Sequence, residues 1–234
     1  MPYFSFYGFD VYYIILILPA FILSLIAQIK VKSTFSKYST TYNSARLTGA
    51  DAARRVLSAH GVYDVRIERV GGQLTDHFDP RTKVIRLSDS VYDSTSVAAV
   101  GVAAHEAGHA VQHAQSYAPI KIRNSLIPLV NFGSSISWFA ILAGILLSND
   151  LFIFAGIILF SFSTLFQLVT LPVELDASNR AMATLRGEFL LRDERELSGA
   201  RKVLTAAAMT YVAAVIMSLA QLLRLLLIFG KRRD

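Results

Sequence analysis

Residues 11–29 read VYYIILILPAFILSLIAQI, nineteen consecutive positions without a charge. At 1.5 Å per residue, a helix of that length matches the ~30 Å hydrocarbon core of a bilayer. Asp10 precedes the stretch, and Lys30, Lys32 and Lys37 follow it. A cleavable signal peptide carries its basic residues in front and a small-residue cleavage site behind. Neither is present, so an uncleaved anchor is expected, with Tyr7, Tyr12 and Tyr13 at the outer interface. Pro19 predicts a kink in this helix.

Outward from the anchor, three more apolar stretches follow, at about 122–147, 151–171 and 203–229. Only Ser148, Asn149 and Asp150 separate the first two, which makes them a hairpin; the last carries Arg224 near its end. Thirteen of the 23 lysines and arginines fall within residues 30–123, and six more within 180–202. Basic loops stay on the cytoplasmic side, so both polar segments are expected there in a multi-pass cell-membrane protein. The basic residues 231–233 oppose four full crossings, so the last stretch is expected to be transmembrane or re-entrant. The net charge of +6 then reflects membrane orientation, and no nucleic-acid partner is expected. There is no cysteine, which excludes disulfides and thiolate metal sites and leaves His, Asp and Glu as metal ligands.

The polar segment between the first two spans begins with a helix signal. Thr48 and Asp51 have capping-box spacing before the apolar stripe Ala52, Val56 and Leu57, and Gly61 stops it. Val62, Val65, Ile67 and Val70 predict a strand, GGQ at 71–73 a turn, and TKVIRLS at 82–88 a second strand after a DPRT turn. Ser94 or Ser96 then opens a helix that runs into AAHEAGHAVQHA at 103–114.

That helix holds three of the five histidines. His105 and His109 lie about 40° apart around a helix, so both imidazoles reach one ion. Glu106 lies about 60° from His109, near enough to touch a metal-bound water without binding the metal. This is the HExxH arrangement, in which a zinc-activated water attacks a carbonyl and the glutamate acts as general base. Gly108 removes bulk beside the ion at some cost in helix propensity. The competing reading is a polar patch on an ordinary helix. His113 lies on the same face, one turn on, as a supporting residue behind the ligands or an exposed helix end.

The third ligand is sought in TLPVELDASNRAMATL at 170–185, where Pro172 suits a helix start or a bend. Glu174 adjoins an apolar span, where an unpaired carboxylate is costly, and zinc hydrolases commonly complete two histidines with a glutamate. The alternative is an acid serving the first-turn dipole. Asp176 is a candidate to orient a ligating histidine, or else a partner of Arg180. Val84 to Leu87 is a candidate sheet edge for a bound peptide, with Asp76, His77 or Asp79 at the rim, or else part of a surface hairpin with a DP turn; His77 and Arg180 are candidates to support the site, and no oxyanion stabiliser is named.

The motifs LTGADAARRVL, LTDHFDPRTKVIRLS, VAAHEAGHAVQHA and LPVELDASNRA resemble the YugP-like membrane zinc metallopeptidases of bacteria over essentially the whole chain. The resemblance implies Zn2+ at His105 and His109, Glu106 as catalytic base and Glu174 as third ligand. The chain is also similar to the HtpX-like gluzincins, which carry an Asp four residues after the ligand Glu. Here that position is Ser178 and the nearby acid is Asp176.

The fold expected is mainly α: about four transmembrane helices and a small cytoplasmic α+β zincin-like domain carrying the HExxH helix. Residues 1–29 form the anchor, 30–121 the metallopeptidase domain and 122–171 a transmembrane hairpin. Residues 172–202 form a helical segment with the third ligand, and 203–234 the last apolar helix and basic tail. The expected function is a zinc endopeptidase acting on a membrane-associated peptide or protein. Two alternatives are a protease with its site inside the bilayer and a non-catalytic, zinc-stabilised membrane scaffold or chaperone.

Overall fold

The computed structural model describes residues 10–230. Tyr7 and the basic residues 231–233 lie outside them. A π-helical turn, Tyr13–Ile17, leads into α1 (Leu18–Ser39), so the irregularity expected from Pro19 sits in the turn just before it. That placement follows from the ring, which removes one backbone donor and crowds the preceding turn. Then come α2 (Gly49–Ala59), β1 (Arg66–Val70), β2 (His77–Asp79), β3 (Val84–Ser88) and α3 (Val97–Ala114). Three long helices complete the chain: α4 (Ala118–Leu146), α5 (Asp150–Gly187) and α6 (Glu194–Phe229).

The described residues fall into two compact units. One comprises residues up to Ala27, Ile122–Leu171 and those from Thr210 onward; the other comprises Gln28–Lys121 and Pro172–Met209. Among the described residues, four helical segments are long and apolar enough to cross a membrane: Tyr13–Ser39, Ala118–Leu146, Asp150–Gly187 and Glu194–Phe229. α6 is unbroken over its whole length.

Within the first unit, Ile141, Ile153, Ile157 and Leu225 form a buried cluster, while Phe132, Phe139, Leu142, Leu146, Leu151 and Ile158 are exposed. Outward-facing apolar side chains are what a lipid environment requires, since helix association there depends on close packing. A Cβ at Gly156 would meet the Ser137 carbonyl oxygen at 2.7 Å, so a glycine is needed where α4 and α5 touch. Arg224 pairs with Asp10, and its guanidinium lies 5.4 Å from the Tyr13 ring centroid.

The second unit has one core. Its buried residues include Ala52, Ala53, Val56 and Leu57 of α2, Ile85 and Leu87 of β3, Val97 to Val111 along one side of α3, and Ala181, Leu185 and Leu204. The expected caps form. Thr48 accepts a hydrogen bond from the Asp51 backbone N–H at 3.1 Å and donates its hydroxyl to the Asp51 carboxylate at 2.7 Å. Of the two serines proposed to open α3, Ser96 is the cap, accepting from the Ala99 N–H at 3.2 Å. Gly61 adopts φ 69°, the left-handed conformation that ends a helix without a Cβ penalty.

The sheet departs from the expected strand pair. β1 runs parallel to β3, Arg66 opposite Val84 and Val70 opposite Ser88, and β2 pairs antiparallel on the other side of β3. The order is therefore β1-β3-β2, and Val84 to Leu87, expected at an edge, form the central strand. Its burial explains why: Val84, Ile85 and Leu87 are wholly buried, as a strand between two neighbours should be. β2 was hidden in the sequence because three residues are too few to show alternation. Asp76 anchors its start, accepting from the Ser88 backbone N–H at 2.7 Å and the Ser88 hydroxyl at 3.0 Å. Burial nevertheless pushes the Asp76 carboxyl above its usual range. Asp79 accepts from Thr82 Oγ1 and the Arg81 N–H, which hold its pKa at about 2 and close the β2–β3 turn.

Pro172 neither starts nor ends a helix; it lies inside α5, so Glu174, Asp176 and Ser178 share one continuous helix with the apolar stretch before them.

Candidate metal centre

α3 packs most heavily on α2 and also touches β2 and β3, and its small residues allow close approach on every side. Gly101 faces Ala200 of α6, where a Cβ would sit 3.5 Å from the alanine Cβ. Gly108 is tighter. A Cβ there would come within 2.7 Å of the Ala177 carbonyl oxygen and 3.3 Å of that residue's Cα. The glycine inside HEAGH is therefore set by contact with α5, a different reason from the relief of bulk beside an ion. Gly108→Ala is expected to lower stability by about 1–3 kcal/mol through overpacking and to weaken metal binding, because α3 must move away from α5. Thermal unfolding with and without zinc checks both effects.

This close approach brings two turns of α3 against one turn of α5. His105 Nε2 and His109 Nε2 lie 3.2 and 3.4 Å from the same oxygen, Oε2 of Glu174. The two rings meet edge to face with centroids 4.6 Å apart, and the three candidate donor atoms lie within 4.8 Å of one another. His109 and Glu174 are buried, and His105 is nearly so.

The donor set fits zinc. Bonds of ~2.0–2.1 Å to tetrahedral zinc imply donor atoms ~3.3 Å apart, close to both nitrogen–oxygen separations. Two imidazoles and a carboxylate are also a borderline-soft N,O set of the kind zinc accepts. A carboxylate only 2% exposed needs a cation among its neighbours. Burial opposes charge on His109, but the Glu174 hydrogen bond, the Glu106 carboxylate and Gln112 outweigh it and raise its pKa.

The opposite edge of each imidazole is held as well. His105 Nδ1 is 3.1 Å from the Ser178 hydroxyl, and His109 Nδ1 is 3.0 Å from Gln112 Oε1. Such partners fix ring orientation around a metal. Neither residue was singled out from the sequence for this role, although a signal existed. Gln112 lies three residues beyond His109 on the same face of α3, and Ser178 is one turn beyond Glu174.

The remaining candidates are placed as follows. Glu106 is on α3, partly exposed and near enough to His109 to favour its charged form. Asp176 touches neither histidine; it accepts from Gln112 Nε2 at 2.8 Å and from Arg180 Nε at 2.6 Å. Arg180 also donates to Gln115 Oε1, and its guanidinium is 5.6 Å from the Tyr117 ring centroid. His113 stacks edge-on against Phe78 of β2, centroids 5.9 Å apart. His77 is exposed and engages the Thr75 carbonyl two residues away. Among the described residues, the metal-capable group consists of His105, His109 and Glu174 alone.

A family described as "Putative neutral zinc metallopeptidase" matches residues 13–230. The "Putative membrane protease YugP" of Bacillus subtilis (strain 168) is 49% identical over 222 residues, covering 95% of this chain and 98% of that protein. No solved structure matches. With a match running from the first apolar helix to the last and a histidine–glutamate cluster in between, the chain belongs to this zinc metallopeptidase family.

Proposed function

We propose that the protein is a membrane endopeptidase in which His105, His109 and Glu174 hold zinc and Glu106 is the general base. The observation that carries this reading is the convergence of two imidazole Nε2 atoms on one buried carboxylate oxygen. Zinc, when bound, supplies a Lewis acid that polarises a carbonyl and lowers the pKa of a water. Glu106, one position after His105 on α3 and outside the donor trio, receives the water's proton. As the water oxygen bonds to the carbonyl carbon and the carbon–nitrogen bond breaks, Glu106 gives that proton to the departing amine.

A peptide has a place to bind. β2 is an edge strand in contact with α3, so an extended segment is able to add to the sheet on that side. Lysines and arginines concentrated in 30–123 and 180–202 support a cytoplasmic site. The site residues belong to the unit with the sheet, and α3 is not among the helices apolar enough to span a membrane. Both points weigh against catalysis inside the bilayer. A scaffold that keeps zinc only for stability has no use for a base beside its ligands, which weighs against the third reading.

The test is metal analysis of the purified protein together with comparison of peptide ends in membranes carrying wild type or Glu106→Gln. One equivalent of zinc, with peptide ends present only in the wild type, is expected. Identical peptide ends in both strains would overturn the protease reading.

A further inference from the structure

Gln112 is wholly buried and its side-chain amide has three neighbours. Nε2 is 2.8 Å from the Val173 carbonyl oxygen and 2.8 Å from Asp176 Oδ2, while Oε1 is 3.0 Å from His109 Nδ1. This arrangement has one sense. A carbonyl oxygen never donates, so rotating the amide by 180° would set Oε1 against two acceptors in a buried site and lose both bonds. With the amide fixed, Oε1 faces His109 and only accepts. The neighbouring imidazole nitrogen must then carry a hydrogen.

We propose that Gln112 is a positioning residue that fixes the tautomer of His109, keeping Nδ1 protonated and the Nε2 lone pair aimed at the metal position. The inference rests on the zinc-site reading, and it says more. Left alone beside Glu174, a neutral His109 would place its proton on Nε2, where it donates to the carboxylate 3.4 Å away, and would present no lone pair to a cation. Gln112 opposes that state. Asp176 and the Val173 carbonyl hold the glutamine, and Arg180 holds Asp176, so the role of Asp176 reaches His109 through an amide. His105 has no equivalent lock, because the Ser178 hydroxyl beside its Nδ1 either donates or accepts.

The experiment has two parts, both on the full-length protein in detergent. In metal-free wild type, at a pH where imidazoles are neutral, proton–nitrogen correlation of labelled histidine is expected to show His109 as the Nδ1–H tautomer. Gln112→Met keeps the side-chain length and removes the acceptor. It is expected to shift His109 toward Nε2–H and to weaken zinc binding by roughly 10–100-fold in competition with a chelator. An Nε2–H tautomer in the wild type overturns the proposal even if the variant does not fold, and so does unchanged zinc affinity in a folded Gln112→Met. A wild type that binds no zinc but shows the Nδ1–H tautomer instead overturns the metal reading and leaves the amide lock standing.

Discussion

Glu174→Ala is expected to bind zinc more than about 100-fold more weakly than the wild type, a larger loss than removal of a supporting partner causes. The substitution removes the one anionic donor and leaves two imidazoles from a single helix. It should not unfold the protein. The contacts that bring α3 to α5, Gly108 against Ala177 and Gln112 on the Val173 carbonyl, do not involve the carboxylate. The metal-free variant is expected to be as stable as metal-free wild type, or more so, because a buried carboxylate has been taken away. Thermal unfolding separates the two effects. Zinc at 1,000 times the dissociation constant stabilises a single-site protein by about 4 kcal/mol, so wild type should show a large upward shift. Glu174→Ala should show almost none. An equal zinc-dependent shift in both proteins would mean that the metal sits elsewhere.

Glu106→Gln is expected to give the complementary result. Zinc content and the zinc-dependent shift stay at the wild-type level, because Glu106 lies outside the donor trio. Peptide hydrolysis falls by about 10²–10⁴-fold, the usual contribution of a positioned general base. Glutamine keeps the size of the side chain and removes its capacity to take a proton, so the loss measures proton transfer. Hydrolysis within a few-fold of wild type removes Glu106 as the base. Loss of zinc along with activity assigns it to the metal's environment instead. Together the two substitutions separate binding from chemistry.

Features carried by neighbouring residues were legible in the sequence. The spans, the Thr48 cap, the Gly61 stop and the spacing of His105, Glu106 and His109 all follow from patterns within a few turns, while the choice of Ser96 over Ser94 as the cap of α3 came from the fold. β2 failed this test because its three residues carry no period, and without it Val84 to Leu87 looked like an edge. Pro172 suited a helix start or a bend, and in α5 it lies inside one helix rather than at its start.

The sequence by itself determined that this is a mainly helical chain with four membrane-length apolar segments and a helix with two histidines on one face. Those are properties of composition and of a 3.6-residue repeat, and they need no partner to be read. The sequence also named Glu174 as the candidate third ligand; only the tertiary structure decided how that carboxylate and its neighbours meet the histidine face. A glutamate 69 positions away shares its oxygen with both imidazoles, a buried amide faces one ring, and a serine faces the other. The physical reason is that α3 meets α5 through a glycine with no Cβ to hold the helices apart. No local pattern records which backbone will fill that space.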